Sequence, residues 1–450
     1  MLALYLGLAV RFALPCVWIL GCEPELDTGA VVSPQDVLPG TFLASDLHGN
    51  EWFVADGGGA RLASYTLDAS DPVCQGEEFQ PYCLLFQAKQ RVAADGAAEV
   101  AFTWSPLDTS DGDDNARTDL DGHYAAVDAE NFAERWRIDY LNFSGYLGES
   151  GCPFDPLDPC HPAETLTDSG YQLCRLHMPH DLEFVSESDT QVRLWLADTG
   201  NNRMLDVSVT KGSDCAVVNE VIGEENPHWD IYTSNNSVVY RVEEDGIETL
   251  LMSAKGSRAG TEAGTAQFAD SGKGKIVLWE KSDRGWGQRW EFPPQVEGSE
   301  SFVSNPHGVQ WATDASGRSL VVYAHSLGLH DDWTGNSGIG SVGVLVIGDD
   351  QQPGYVADLR VAGAAELHFP RDVTVLDQER WIVTDSGCVG GICENATRSL
   401  VIASVEGERS NLSGGFSPDH LNLNVVDATV LDGPYLGDSN QLYSVEWIGD

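Results

Sequence analysis

Short stretches of alternating apolar and polar residues recur along the chain, separated by segments rich in Gly, Pro, Asn and Asp. Three copies align well: Pro179-His180-Asp181-Leu182-Glu183-Phe184, Pro306-His307-Gly308-Val309-Gln310-Trp311 and Pro370-Arg371-Asp372-Val373-Thr374-Val375. Asn226-Pro227-His228-Trp229-Asp230 is a looser copy, and Asp427-Ala428-Thr429-Val430-Leu431 repeats the strand without the proline. A period of two places successive side chains on opposite faces of a β-strand. Proline fixes φ and has no N–H for the ladder, so it marks the point where a strand begins. In each good copy a second strand is predicted at 192–198, 319–325 and 380–385, then a third at 203–209, 341–347 and 399–405. A fourth is clearest at 354–361. Four antiparallel strands every 45 to 80 residues or so is the period of propeller blades.

The remaining pattern is weaker. Residues 100–104, 123–128 and 134–140 suggest one further blade, and 237–242, 248–254, 275–280 and 288–292 suggest another. Residues 41–43, 52–56 and 61–67 lie at the start, and 442–448 at the end. Pairing those two parts would close the ring and remove its exposed edges. The expectation is all-β: a single β-propeller of four-stranded antiparallel blades over 40–450, with six blades, or seven as the alternative. Residues 145–173 read as a long Cys-rich loop over one face.

Residues 1–21 read as an export signal, with Arg11 ahead of an apolar run. The run ends Ile19-Leu20-Gly21-Cys22, which resembles a bacterial lipobox. That resemblance implies cleavage before Cys22 and lipid attachment to its thiol. With Glu23 next, it also implies sorting to the outer membrane, with 22–39 as the tether. A plain secretory signal and a single anchor helix are the alternatives.

Ten cysteines are present; without Cys16 and Cys22, eight remain, an even number suited to an oxidising compartment. The simplest connectivity joins Cys74 to Cys83, Cys152 to Cys160, Cys388 to Cys393 and Cys174 to Cys215. Other connectivities stay open.

Charge narrows the partners. Asp plus Glu number 70 against 25 Lys plus Arg, a formal net charge of −45. Nucleic acid needs a basic face, and anionic lipid would repel this chain, so contact with a membrane is expected only through the lipid anchor. The acidity itself suits solubility or cation binding. The acidic segment 108–121 is a candidate calcium loop; Ala116 and Gly122 depart from the EF-hand pattern, and a solvated loop is the other reading.

A residue just before the innermost strand of a blade stands at the mouth of the central channel. His180, His228, His307 and Arg371 are therefore the predicted ring, with His48 and Asn50 of His48-Gly49-Asn50 as further candidates. Several such groups around one axis would bind a small-molecule or anionic ligand. The alternative is that each His packs against the neighbouring blade.

The stretch Leu194-Trp195-Leu196-Ala197-Asp198-Thr199-Gly200-Asn201-Asn202-Arg203 resembles the NHL repeat. Gly and Asn in it tolerate positive φ between strands. The order His180-Asp181, then Asp198 to Arg203, also resembles the bacterial arylsulfotransferase group. That resemblance implies His180 as nucleophile, with Arg203, Arg371 and His307 stabilising the sulfuryl oxygens. The peptidyl-amidating lyase group, also NHL-type, implies instead a zinc held by His180, His228 and His307.

Three functions are thus expected. The first is a lipid-anchored, extracytoplasmic propeller, monomeric, binding a small ligand or a cell-envelope protein at its channel mouth. The others are a sulfuryl transferase and a zinc-dependent lyase or hydrolase.

Overall fold

The structure is a computed structural model. It describes residues 40–46, 51–56, 61–67, 83–106, 121–143, 154–155, 158–162, 176–201, 203–222, 235–254, 274–292, 306–313, 317, 319–326, 340–348, 351–359, 367, 370–376, 380–385, 399–407, 423–430 and 442–449. Residues 1–39, which hold the expected signal, Cys22 and the tether, lie outside this set.

The strands follow one another as consecutive antiparallel meanders. The first comprises β1 (Thr41–Asp46), β2 (Glu51–Asp56) and β3 (Arg61–Thr66). The second is β4 (Cys83–Val92), β5 (Ala98–Pro106), β6 (Asp121–Asp128) and β7 (Glu134–Ile138). Three short connections follow: β8 (Tyr140–Asn142), then a two-stranded pair of β9 (Phe154–Asp155) and β10 (Asp158–Pro162), then β11 (Leu176–His177). The third meander is β12 (Asp181–Glu187), β13 (Gln191–Asp198), β14 (Arg203–Thr210) and β15 (Cys215–Ile222). The next is β16 (Asn235–Val242), β17 (Glu248–Ala254), β18 (Lys275–Ser282) and β19 (Gly285–Phe292). Then come β20 (Pro306–Thr313), β21 (Ser319–His325), β22 (Ser341–Ile347) and β23 (Pro353–Leu359). The last is β24 (Pro370–Val375), β25 (Arg380–Asp385), β26 (Ser399–Gly407) and β27 (Leu423–Val430), after which β28 (Leu442–Gly449) returns to pair with β1.

This is an all-β propeller. The first strands β28, β4, β12, β16, β20 and β24 neighbour one another in a closed ring. The final strand is the innermost of the first sheet, whose order is β28-β1-β2-β3, so the two ends of the chain lock together. Ser45 Oγ bonds Ser444 Oγ across this closure at 2.6 Å.

Burial explains which strands the alternating pattern marks and which it blurs. The outer strand β3 alternates half-buried and exposed positions, whereas β22 (Ser341–Ile347) is buried at every position. A middle strand has a neighbouring blade against each face, so both sets of side chains are apolar. Gly343 in β22 is there for space: a Cβ on it would lie 2.0 Å from the Tyr323 ring of β21. Gly343→Ala is expected to lower stability by roughly 1–3 kcal/mol through overpacking. A urea titration checks this, and an unchanged midpoint would show that the Tyr323 ring yields at no cost.

Two inner strands are strapped to the next by an aspartate at equivalent positions. Asp181 accepts from Ser237 Oγ at 2.8 Å and from the Val238 N–H at 2.9 Å. Asp372 accepts from the Val445 N–H at 3.2 Å. Each carboxylate thus takes a backbone donor from the neighbouring inner strand near its start.

Three expectations change. The strand at 427–431 belongs to β27, the outermost strand of its sheet, not an inner one. The inner strand β4 begins two residues after Pro81, but no His or Arg follows that proline, and the strand escapes the repeat pattern. The segment 145–173, expected as a loop over one face, contains β9 and β10.

Candidate functional site

At the beginning of most inner strands the ladder slips. The slip falls between Leu85 and Ala88 in β4, Asn235 and Ser237 in β16, Pro306 and Val309 in β20, and Pro370 and Asp372 in β24. In β28 it skips Tyr443, since Ser45 pairs Ser444 while Asp46 pairs Leu442. A bulge leaves a residue out of the ladder and re-aims its side chain. The residues released include Phe86, Asn236, His307, Arg371 and Tyr443. His180 holds the corresponding place just ahead of β12, after Met178, whose φ of 46° is a left-handed value unusual for a non-glycine residue.

These six side chains cluster at one mouth of the channel. The Phe86 and His180 rings lie 4.4 Å apart, Phe86 and Tyr443 5.4 Å, His180 and Tyr443 5.6 Å, and His307 and Tyr443 6.4 Å between centroids. The Arg371 guanidinium stands 5.6 Å over the Tyr443 ring, a cation–π arrangement. His180 Nδ1 donates to the Met178 carbonyl at 2.8 Å, which fixes its tautomer.

Hydrogen-bond chemistry orients His307. Arg371 Nη1 lies 3.2 Å from His307 Nε2, and a guanidinium only donates, so Nε2 accepts. Nδ1 then carries the proton and needs an acceptor, and Asn236 is its partner there. Asn236 therefore presents its carbonyl oxygen to His307 and turns its NH2 to the other side. The amide end not facing His307 points to the Tyr443 hydroxyl, whose oxygen it can bond, so the Tyr443 O–H proton is the group left without an acceptor. Both residues are buried, Asn236 3% and Tyr443 4% exposed.

Below this ring the channel is acidic. Lys89 is bonded to Asp181 Oδ1 at 3.0 Å and Glu183 Oε2 at 2.8 Å, and their charges outweigh burial to hold its pKa above the usual lysine range. It is the one ammonium opposite Asp181, Glu183, Asp372 and Glu446 among the described residues. Burial, then the neighbouring Asp181, pushes the Asp372 carboxyl up to about 7. Burial, with Glu183 and Asp372 adding to it, pushes Glu446 up to about 8. The Glu183 carboxyl is also raised, chiefly by burial.

Of the predicted site residues, His180, His307 and Arg371 come together here. His228, His48 and Asn50 lie outside the described residues, and the mouth position of the β16 strand is held by Asn236. Arg203 is elsewhere: it is buried in its own sheet, 2.7 Å from Asp198 Oδ2 and over the Phe143 ring, so it is a structural group of the turn and not a mouth residue. Phe86, Asn236 and Tyr443 carry no proline signal, and only the bulge register reveals them.

Cys83 and Cys215 are disulfide-bonded; their expected partners Cys74 and Cys174 lie outside the described residues, as do the other cysteines apart from Cys160 of β10. The candidate calcium segment is likewise outside, apart from Asp121. Zinc does not fit the mouth: the His307 nitrogen facing the site is bonded to a guanidinium, which would stand against the metal. Among the described residues no group of three His, Cys, Asp or Glu side chains has a metal-binding arrangement.

No protein-family profile matches the chain, and no curated protein matches it. Neither search supports the NHL-repeat or arylsulfotransferase resemblance. Solved structures do match, at low similarity. An α-L-arabinofuranosidase from Fusarium graminearum is 10% identical, covering 71% of this chain and 77% of its own, with a TM-score of 0.37. A GH43_1 enzyme from Xanthomonas citri is 12% identical, covering 72% and 88%, with a TM-score of 0.34. A protein of unknown function from Dyadobacter fermentans is 10% identical, covering 75% and 80%, with a TM-score of 0.36. Likeness at this level says nothing about activity. The class, a β-propeller, rests on the strand topology itself.

Proposed function

We propose that this chain is a lipid-anchored, extracytoplasmic propeller of six blades that binds a small anionic ligand at the mouth of its axial channel. One observation carries the reading. Beside the Arg371 guanidinium, two buried side chains, Tyr443 and Asn236, lie against each other with more polar atoms than partners, and with the Asn236 amide turned as His307 requires, the Tyr443 O–H is left to donate. Leaving a buried polar group unmet costs about 1–3 kcal/mol, so a site that keeps such groups beside a cation is suited to an anion. The aromatic walls, Phe86 and Tyr443, suit an apolar body behind the charge. The chain's own charge of −45 disfavours polyanions and leaves small ligands of low charge. The six-blade count follows the six inner strands, and the anchor follows the lipobox-like Ile19-Leu20-Gly21-Cys22.

Titration calorimetry with benzoate tests the site. Wild-type protein should bind it, and Arg371→Gln should weaken binding roughly ten- to a hundredfold, the worth of one hydrogen-bonded charge. Tyr443→Phe should weaken it less. Equal affinity in wild type and Arg371→Gln, with both variants folded by circular dichroism, would overturn the reading.

A further inference from the structure

The mouth has two layers of opposite charge. Arg371 belongs to the upper one. Asp181 and Asp372 belong to the lower, each following a ring residue directly in sequence. Tyr443 stands between them. Burial, then Asp181 and Asp372, holds its hydroxyl pKa above the usual tyrosine range, and Arg371 and the Asn236 amide pull the other way, so this hydroxyl is within electrostatic reach of both layers.

A simple anion would use only the upper layer. The lower layer keeps carboxyls in excess of cations, because Lys89 is already engaged by Asp181 and Glu183, while Asp372 and Glu446 are left with raised pKa values and protons that an arriving cation can displace. We propose that the mouth takes a small aromatic zwitterion, its carboxylate held by Arg371, Tyr443 and Asn236, its ring against Phe86, and its ammonium group directed down the axis toward Asp372 and Asp181. This deepens the anion-binding reading above and rests on it.

A zwitterion has a consequence that a plain anion lacks. Burial and Asp181 push the Asp372 carboxyl up to about 7, so near neutral pH it holds its proton part of the time. An ammonium arriving beside it favours the carboxylate and displaces that proton. The groups facing Asp372 are Asp181, Glu446, Lys89 and the Val373 and Val445 N–H groups; only Lys89 and the two N–H groups oppose protonation. Binding should therefore release protons.

The test is calorimetry on the full chain at pH 7 with L-phenylalanine, 3-phenylpropanoate and phenethylamine, in two buffers of different ionisation heat. L-Phenylalanine is expected to bind at least tenfold tighter than either of the other two. Its apparent heat should also depend on the buffer, reporting proton release, and Asp372→Asn should abolish that dependence. If 3-phenylpropanoate binds as tightly as L-phenylalanine, the zwitterion is overturned while the anion site stands. If phenethylamine binds as tightly, or if no probe binds, the anion reading falls as well. The three-ligand comparison uses the wild-type protein alone, so it decides the matter even where Asp372→Asn does not fold.

Discussion

Raising the pH from 5 to 9 is expected to lower the stability of the folded chain by several kcal/mol. The Asp372 carboxyl rises from its ordinary 3.8 to about 7 on folding, and Glu446 from 4.5 to about 8. A carboxyl with a raised folded pKa holds its proton more tightly in the folded state than in the unfolded one. Its contribution is therefore fully present below the unfolded pKa and is lost as the pH climbs through the folded one. The window runs from about pH 4 to about pH 8, set by those two groups, with Glu183 shifted in the same direction. Each tenfold gain in proton affinity is worth about 1.4 kcal/mol, so Asp372 alone accounts for on the order of 4 kcal/mol across the whole window and roughly 3 kcal/mol between pH 5 and 9. Glu446 is partly exposed to solvent, and its share is smaller. Urea midpoints at pH 5, 7 and 9 should fall steadily, and Asp372→Asn should flatten the slope. The chain's −45 charge also opposes compaction as the pH rises, but that part is screened by salt while the buried part persists. The comparison therefore belongs in about 0.5 M salt, where the Debye length falls to roughly 4 Å. A midpoint that holds level or climbs with pH would show that the channel carboxyls are ionised at no cost.

Much of the propeller was legible because proline is a positional marker. Pro306 and Pro370 begin inner strands, and Pro179 lies two residues ahead of one, so His180, His307 and Arg371 were placed at a shared mouth from sequence alone. The C-terminal strand was legible as a closing element because its alternation had no other partner. The other half of the mouth was not legible, for a physical reason. Phe86, Asn236 and Tyr443 reach the axis through bulges, and a bulge is a property of register between two strands, with no composition of its own. Asn226-Pro227-His228 copied the spelling of the motif eight residues ahead of the strand that carries the position. At 427–431 the alternation was real, but outer and inner strands share it, and only topology separates them. The Asp198 to Arg203 stretch does turn, at Thr199–Asn201, but without the positive φ expected of its glycine: Gly200 is there for space, since a Cβ on it would lie 2.3 Å from the His177 ring, and Arg203 does not stand at the mouth.

That stretch makes the second large prediction: Asp198→Ala should cost on the order of 3–5 kcal/mol while leaving the mouth unchanged. Asp198 is fully buried and accepts from Arg203 Nε at 2.7 Å, Asn201 Nδ2 at 2.9 Å and the His177 N–H at 2.7 Å. It thereby ties the turn between β13 and β14 to the segment that leads into His180. Arg203 is fully buried as well, and alanine at 198 removes the carboxylate that offsets its charge. Asp198→Asn keeps an acceptor without the charge and should fall between wild type and alanine. Arg203→Met removes the ion that needs neutralising, so combining it with Asp198→Leu should cost less than the two single changes added together. Chemical denaturation of the single and double variants measures this coupling. A cost below about 1 kcal/mol for Asp198→Ala, or strict additivity in the double variant, would mean that Arg203 finds its compensation elsewhere. Benzoate affinity should be the same in all variants that fold, because this pair shapes the blade and the ligand meets only the ring above the axis.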